Sequence, residues 1–231
     1  MTSAVRLFVD FDGTVSRADT TDLVLQHFAD PAWLEVEAAW ERGEIGSREC
    51  MVRQIDLVCV TPERLDALLG GVELDPYFPA FVGLCSSLGV PVSIVSDGLD
   101  RSVQAAMGRY GLNIPALANR LEWRGGEGWR LSFPHARQDC RSLSGHCKCR
   151  SMGDEGLRVL VGDGRSDFCA ARSADMVFAK AKLLAHCREE GIPHAAFTDF
   201  AELSSLFIDW LAARGAARPL TLTAKETIHA E

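Results

Sequence analysis

The segment Asp10-Phe-Asp12-Gly-Thr14 puts two carboxylates two residues apart, directly after the apolar run Leu7-Phe8-Val9. Those three residues form strands readily and read as a central strand covered on both faces. Carboxylates at the end of a buried strand are costly unless something neutralises them. Open α/β sheets bind ligands at this same end of their strands. A hard cation such as Mg²⁺, which prefers oxygen ligands, would neutralise the pair. An Asp-rich turn bonding its own backbone N–H groups is the plainer alternative.

Two more polar clusters follow apolar runs. Val90–Val95 leads into Ser96-Asp97-Gly98, and Leu157–Val161 leads into Gly162-Asp163-Gly-Arg-Ser-Asp167. Carboxylates scattered at random over loops would not all follow strands. Lys148 lies upstream of the last cluster with a short helix between, and Lys180 is the fallback for a basic residue at such a site. Ser96 could also be a plain helix N-cap, and Lys148 a solvated surface charge.

The elements that must hold these residues alternate between strand and helix, which predicts an α/β fold with a doubly wound parallel sheet. Residues 16–75 carry helix signals and no strand alternation. Helices are expected over Ala18–Phe28, capped by Asp19 or Thr20, and over Ala32–Glu41 with the stripe Trp33, Val36 and Trp40. Ser47 reads as the cap of a third, through Met51, Ile55 and Val58, and Thr61-Pro62-Glu63 opens a fourth. This stretch reads as a small helical cap inserted into a core formed by 1–15 and 76–213. Tyr77–Leu88 and Ser102–Tyr110 are expected helices. Leu117–Trp123 and Trp129–Phe133 read as a β-hairpin insertion, Met176–Ala179 as a short strand, and Phe200–Ala213 as the last amphipathic helix. Residues 214–231 are polar and aperiodic and read as a loose tail.

Composition narrows the partners. There are 24 Lys plus Arg against 32 Asp plus Glu, a formal net charge of -8. That balance argues against nucleic acid and anionic membrane, but not against a small phosphorylated substrate, which needs only local positive charge. No signal-peptide core or bilayer-length apolar run is evident, so a cytoplasmic location with reduced thiols is expected. Cys140, His146, Cys147 and Cys149 could be read as a zinc cluster, although C-x-C is not the usual knuckle spacing. Alternatively, Lys148 between two thiols could lower their pKa values and make them redox-active. Cys85 and Cys169 read as core packing. Trp33 and Trp40 could pack internally or against a second copy, leaving a homodimer open.

Taken together, the four clusters resemble the motifs of the haloacid dehalogenase (HAD) superfamily, whose members are mostly phosphohydrolases. D-x-D-G-T is Asp10-Phe-Asp12-Gly13-Thr14, the Ser after an apolar strand is Ser96, the Lys is Lys148, and G-D-x-x-x-D is Gly162-Asp163-Gly-Arg-Ser-Asp167. The resemblance implies a HAD-like Rossmannoid core. It makes Asp10 the nucleophile that forms an aspartyl-phosphate and Asp12 the general acid and then base. Mg²⁺ would be held by Asp10, the Asp12 carbonyl and Asp163, with Asp167 a further ligand or an orienter. Ser96, Lys148 and backbone N–H groups near Gly98 would hold the phosphoryl oxygens.

The position of the helical cap is similar to the subgroup containing phosphoserine phosphatase and the methionine-salvage 2-hydroxy-3-keto-5-methylthiopentenyl-1-phosphate phosphatase. Asp19 stands where the phosphoserine enzymes carry a substrate-binding Glu, and Lys148-Cys149 where they have Lys-Pro. Both features, with Asp30-Pro-Ala-Trp33 and the hairpin, look closer to the methionine-salvage enzyme. Arg53 is a candidate for an anionic substrate group, or else a surface charge. The chain departs from both enzymes at Ser96-Asp97-Gly98, where they show Ser-Gly-Gly. A Mg²⁺-dependent phosphomonoesterase is therefore expected, with a non-catalytic binding protein on the same fold as the contrasting alternative.

Overall fold

The computed structural model describes residues 4–140 and 143–215. A seven-stranded sheet forms its centre. In chain order the strands are β1 (Val5–Val9), β2 (Val92–Leu99), β3 (Ala116–Trp123), β4 (Trp129–Ser132), β5 (Leu157–Gly162), β6 (Met176–Ala179) and β7 (His194–Ala196). The spatial order is β4-β3-β2-β1-β5-β6-β7. Every neighbouring pair is parallel except β3 and β4, which form the antiparallel hairpin.

β1 lies between β2 and β5, with Leu7 opposite Val92 on one side and Val159 on the other. Successive side chains of a strand point to opposite faces. Leu7 and Val9 therefore enter the larger core, with Phe78, Phe81, Phe200 and Phe207, while Phe8 enters the second core with Val95, Leu160 and Leu183. Burial on both faces explains why the strand reads as a continuous apolar run rather than an alternating one.

The first four helices after β1 are α1 (Thr20–Phe28), α2 (Trp33–Glu41), α3 (Ser47–Ile55) and α4 (Pro62–Leu69). They are followed by α5 (Phe78–Ser87), α6 (Asp100–Arg109), α7 (Lys148–Ser151), α8 (Phe168–Ala171), α9 (Ala181–Glu190) and α10 (Phe200–Ala213). Trp129 of the hairpin is buried and donates its Nε1–H to the Val60 carbonyl at 2.9 Å, tying the hairpin to the segment between α3 and α4.

Several local expectations differ from the structure. Ser96-Asp97-Gly98 lies inside β2, which continues to Leu99 through a register shift against β3, and α6 starts at Asp100 instead of Ser102. Gly46, not Ser47, caps α3, because the Ser47 hydroxyl bonds Asp97 instead. Helix α2 buries none of its residues: Trp33 packs on the edge of the main core, and Trp40 faces the cleft described below. β7 was not expected. The tail expected over 214–231 lies, beyond Arg214 and Gly215, outside the described residues.

Candidate active site

β1 delivers Asp10 into a tight turn over Phe11–Val15, and the turn brings Asp12 and Thr14 back toward the strand ends. Gly13 holds φ at +70°, and a Cβ there would also come within 2.7 Å of Asp163 Oδ2, so only glycine suits the position. Asp10 Oδ1 accepts the Phe11 N–H at 2.8 Å and lies 2.7 Å from Lys148 Nζ. Asp12 Oδ1 accepts both the backbone N–H and the hydroxyl of Thr20, at 2.8 and 2.6 Å. Thr14 donates its hydroxyl to Asp163 Oδ1 at 2.8 Å.

Lys148 joins the first motif to the last. Its Nζ lies 2.7 Å from Asp10 Oδ1, 2.7 Å from Asp167 Oδ1 and 3.0 Å from Ser166 Oγ. Its side chain is fully buried, so the charge is satisfied by these partners and not by water. Asp167 also accepts the N–H groups of Asp163 and Gly164 on Oδ2, at 3.2 Å each. Both of its oxygens are thus occupied. Lys180 instead sits over the Phe197 ring, 3.5 Å from the Thr14 carbonyl.

Ser96 is fully buried, and the Gly98 N–H donates to its Oγ at 2.9 Å. The Gly98 amide is therefore already engaged. A Cβ on Gly98 would collide with Asp12 Oδ2. That clash is the physical reason for glycine there.

Burial dominates the electrostatics. It pushes the Asp10 carboxyl well above its ordinary pKa, aided by repulsion from Asp167 and opposed by Lys148. Asp12 is raised to about 7, by burial first and then by Asp19, against the two Thr20 hydrogen bonds. Asp163 is raised by burial, with Thr14 opposing. Burial alone would depress Lys148, but Asp10 and Asp167 overcome it and hold the ammonium charged. Oxygen ligand atoms of Asp10, Asp163 and Asp167 lie within 4.8 Å of one another, the one such metal-capable group among the described residues. A buried set of hard oxygen donors, with Lys148 against two of them and Lys180 acting on Asp163 from farther off, fits Mg²⁺.

A cavity of about 350 Å³ opens over this group. Asp10, Asp12, Asp163 and Gly98 line its floor, and Asp19, Asp22, Glu37, Trp40, Cys50, Met51 and Gln54 line the opposite wall. Asp19 reaches the cavity but spends Oδ1 capping α1 through Thr21 and Asp22. Arg53 does not line it: its guanidinium pairs with Glu49 on the exposed face of α3, one residue out of phase with the face that carries Ser47, Cys50, Met51 and Gln54. Thr20, Ser166 and the lining residues of α2 and α3 were not anticipated. Arg165 also reaches the cavity, its guanidinium 5.0 Å above the Trp40 ring.

The zinc reading of the Cys and His residues finds no support in this geometry. Both His146 nitrogens are engaged, Nδ1 with the Ser96 carbonyl at 2.9 Å and Nε2 with Ser151 Oγ at 2.6 Å. Cys149 Sγ lies 3.3 Å from both Cys147 and Cys169, so Cys169 belongs to this thiol group and not to the core. The expected lowering of the thiol pKa values is reversed. Burial raises both Cys147 and Cys149, since the Lys148 charge is spent on Asp10 and Asp167. Cys85 is fully buried core packing, as expected.

The 2-hydroxy-3-keto-5-methylthiopentenyl-1-phosphate phosphatase of Geobacillus kaustophilus is 32% identical over 209 residues, covering 87% of this chain and 94% of that protein. The protein of the same name from Bacillus velezensis is 30% identical, covering 89% and 90%. Among solved structures, a phospho-aspartyl intermediate analogue of phosphoserine phosphatase superposes with a TM-score of 0.67 at 18% identity, covering 90% of this chain and 99% of that one. That last likeness is one of fold. Residues 7–172, which span every motif from Asp10 to Asp167, match the family described as haloacid dehalogenase-like hydrolase, and the chain belongs to that family.

Proposed function

We propose that the chain is a Mg²⁺-dependent phosphomonoesterase that forms an aspartyl-phosphate on Asp10. The observation that carries this reading is the buried Lys148 ammonium, 2.7 Å from both Asp10 and Asp167. A Lys held there can offset the charge of a phosphoryl group brought against a carboxylate. Helices α1–α4, within residues 16–75, serve as the cap that closes over a core of 1–15 and 76–213.

Asp10, Asp163 and the Asp12 carbonyl would hold Mg²⁺, with Asp167 orienting Asp163 and Lys148. When bound, the ion supplies charge neutralisation for an anion attacking an anion. Asp10 Oδ1 is taken by Phe11 and Lys148, so Oδ2 is the oxygen that attacks phosphorus as the P–O bond to the leaving group breaks. Asp12, with its pKa raised to about 7, is protonated in a large share of molecules near neutral pH, and that form gives its proton to the leaving oxygen. The resulting Asp12 carboxylate then takes a proton from the water that hydrolyses the aspartyl-phosphate. Phosphate leaves and Asp10 is regenerated.

The substrate we infer is 2-hydroxy-3-keto-5-methylthiopentenyl-1-phosphate, the compound in the names of relatives 30–32% identical. The cap wall supports it, because Trp40, Cys50 and Met51 offer a polarisable surface suited to a thioether. Phosphoserine carries a carboxylate and fits less well, since Asp19, Asp22 and Glu37 outweigh Arg165 and Lys182 along this cavity and Arg53 points away. A purely binding role is disfavoured by the intact Asp10 and Asp12. Comparing kcat/KM for the two substrates tests the assignment. The enol phosphate should be preferred by at least about tenfold, and preference for phosphoserine would overturn it.

A further inference from the structure

Asp97 is the residue of the second motif that this chemistry leaves without a task. Its Oδ1 accepts the His146 backbone N–H at 2.7 Å and Asn119 Nδ2 at 3.2 Å. Its Oδ2 accepts the Ser47 hydroxyl at 3.1 Å. Asn119 is fully buried and also donates to the Asp97 carbonyl at 2.6 Å. The three donors come from three separate parts of the fold: Ser47 opens α3, Asn119 lies on β3, and His146 precedes α7.

Each of these attachments leads to the site. His146 is two residues before Lys148, and its ring is tied to the Ser96 carbonyl and to Ser151 Oγ. The segment bearing the lysine is thus bound to Ser96-Asp97 through both backbone and ring. On the other side, α3 supplies Cys50, Met51 and Gln54 to the cavity wall. Asp97 borders the cavity, but both of its oxygens are engaged by protein donors. Its geometry is that of a connector.

We propose that Asp97 is a positioning residue, a strut joining the cavity wall of α3 to the loop that carries Lys148, so that one carboxylate sets both the closed position of the wall and the placement of the lysine. This rests on the phosphatase reading above. It departs from a merely space-filling role in a testable way, because the hydrogen-bond acceptors matter and the charge does not. An Asn at 97 keeps Oδ1 for His146 and Asn119, and its amide can donate to Ser47 Oγ.

The test uses the full chain with Mg²⁺ and p-nitrophenyl phosphate. Asp97→Ala should lower kcat by about thirtyfold, since small misplacements of a charge-stabilising group cost that order of rate. Asp97→Asn should restore kcat to within about threefold of wild type. Ser47→Ala, which cuts only the link to α3, should raise KM by about fivefold with kcat nearly unchanged. Wild-type kcat in Asp97→Ala, or an Asp97→Asn as slow as Asp97→Ala, would overturn the strut. If Asp97→Ala does not fold, an unchanged KM in Ser47→Ala overturns it. If wild type hydrolyses no ester at all, the phosphatase reading fails separately, and amide hydrogen exchange reads the strut. Asp97→Ala, or Asp97→Asn should the former not fold, is then compared with wild type. Asp97→Ala should accelerate exchange in 47–55 and 144–151 together and Asp97→Asn in neither; any other pattern overturns it.

Discussion

Lys148 Nζ and Asp10 Oδ1 lie 2.7 Å apart with the lysine side chain wholly buried, although 137 residues separate them in the chain. Breaking a buried pair leaves its partners uncompensated. Lys148→Met would leave Asp10 and Asp167 facing each other without a cation. It should destabilise the fold by about 3–5 kcal/mol, read from urea unfolding without added metal, and lower kcat by at least about a hundredfold.

Gly98→Ala tests the space between the second motif and Asp12. Its Cβ would collide with Asp12 Oδ2, which must move away from the bonds it accepts from Thr20. kcat should fall by about a hundredfold or more, while overpacking costs about 1–3 kcal/mol of stability. Steady-state kinetics beside thermal unfolding separates the two effects.

Mg²⁺ should compete with protons. Burial raises the Asp10 and Asp163 carboxyls, so the ion must displace protons that these groups hold more tightly than usual. Its Kd should therefore fall as pH rises, with proton release seen by calorimetry in buffers of different ionisation enthalpy. Asp163→Asn should abolish the Mg²⁺-dependent rise in Tm.

His146 gives a pH signature in stability. Burial depresses its pKa from 6.5 to about 4, so between those values the unfolded chain binds more protons than the folded one. Stability from this group is full above pH 6.5 and is lost as pH falls toward 4, at about 1.4 kcal/mol per unit of displacement at most. The raised carboxylates Asp10, Asp12, Asp97 and Asp163 gain stability on acidification and oppose it. The diagnostic is thus a difference: between pH 7 and 5, His146→Gln should lose less unfolding free energy than wild type.

The parts of the site that follow strands were legible because their physics is local. Leu7-Phe8-Val9 shows two-face burial as an unbroken apolar run, and a carboxylate directly after it demands a neutralising partner. The wall of the cavity was less accessible to such reasoning. Thr20 reaches Asp12 only because the Phe11–Val15 turn reverses the chain, and no spacing rule encodes that. Of the two readings of Arg53 the surface charge holds, and the 47, 50, 51, 54 spacing already marks the inward face of α3 and excludes 53. β7, at three residues, is too short to show a period. The partners of Asp97 lie 50, 22 and 49 residues away and emerge only from the fold.

The central claim, a nucleophilic Asp10 working with Mg²⁺, is tested most directly by hydrolysis of p-nitrophenyl phosphate with and without the ion, in wild type and Asp10→Asn. That substitution keeps the side-chain size and removes the nucleophilic charge. The account predicts turnover that requires Mg²⁺ in wild type and falls by at least about a thousandfold in the variant. Equal turnover by the two proteins would contradict it and remove Asp10 from the role of nucleophile.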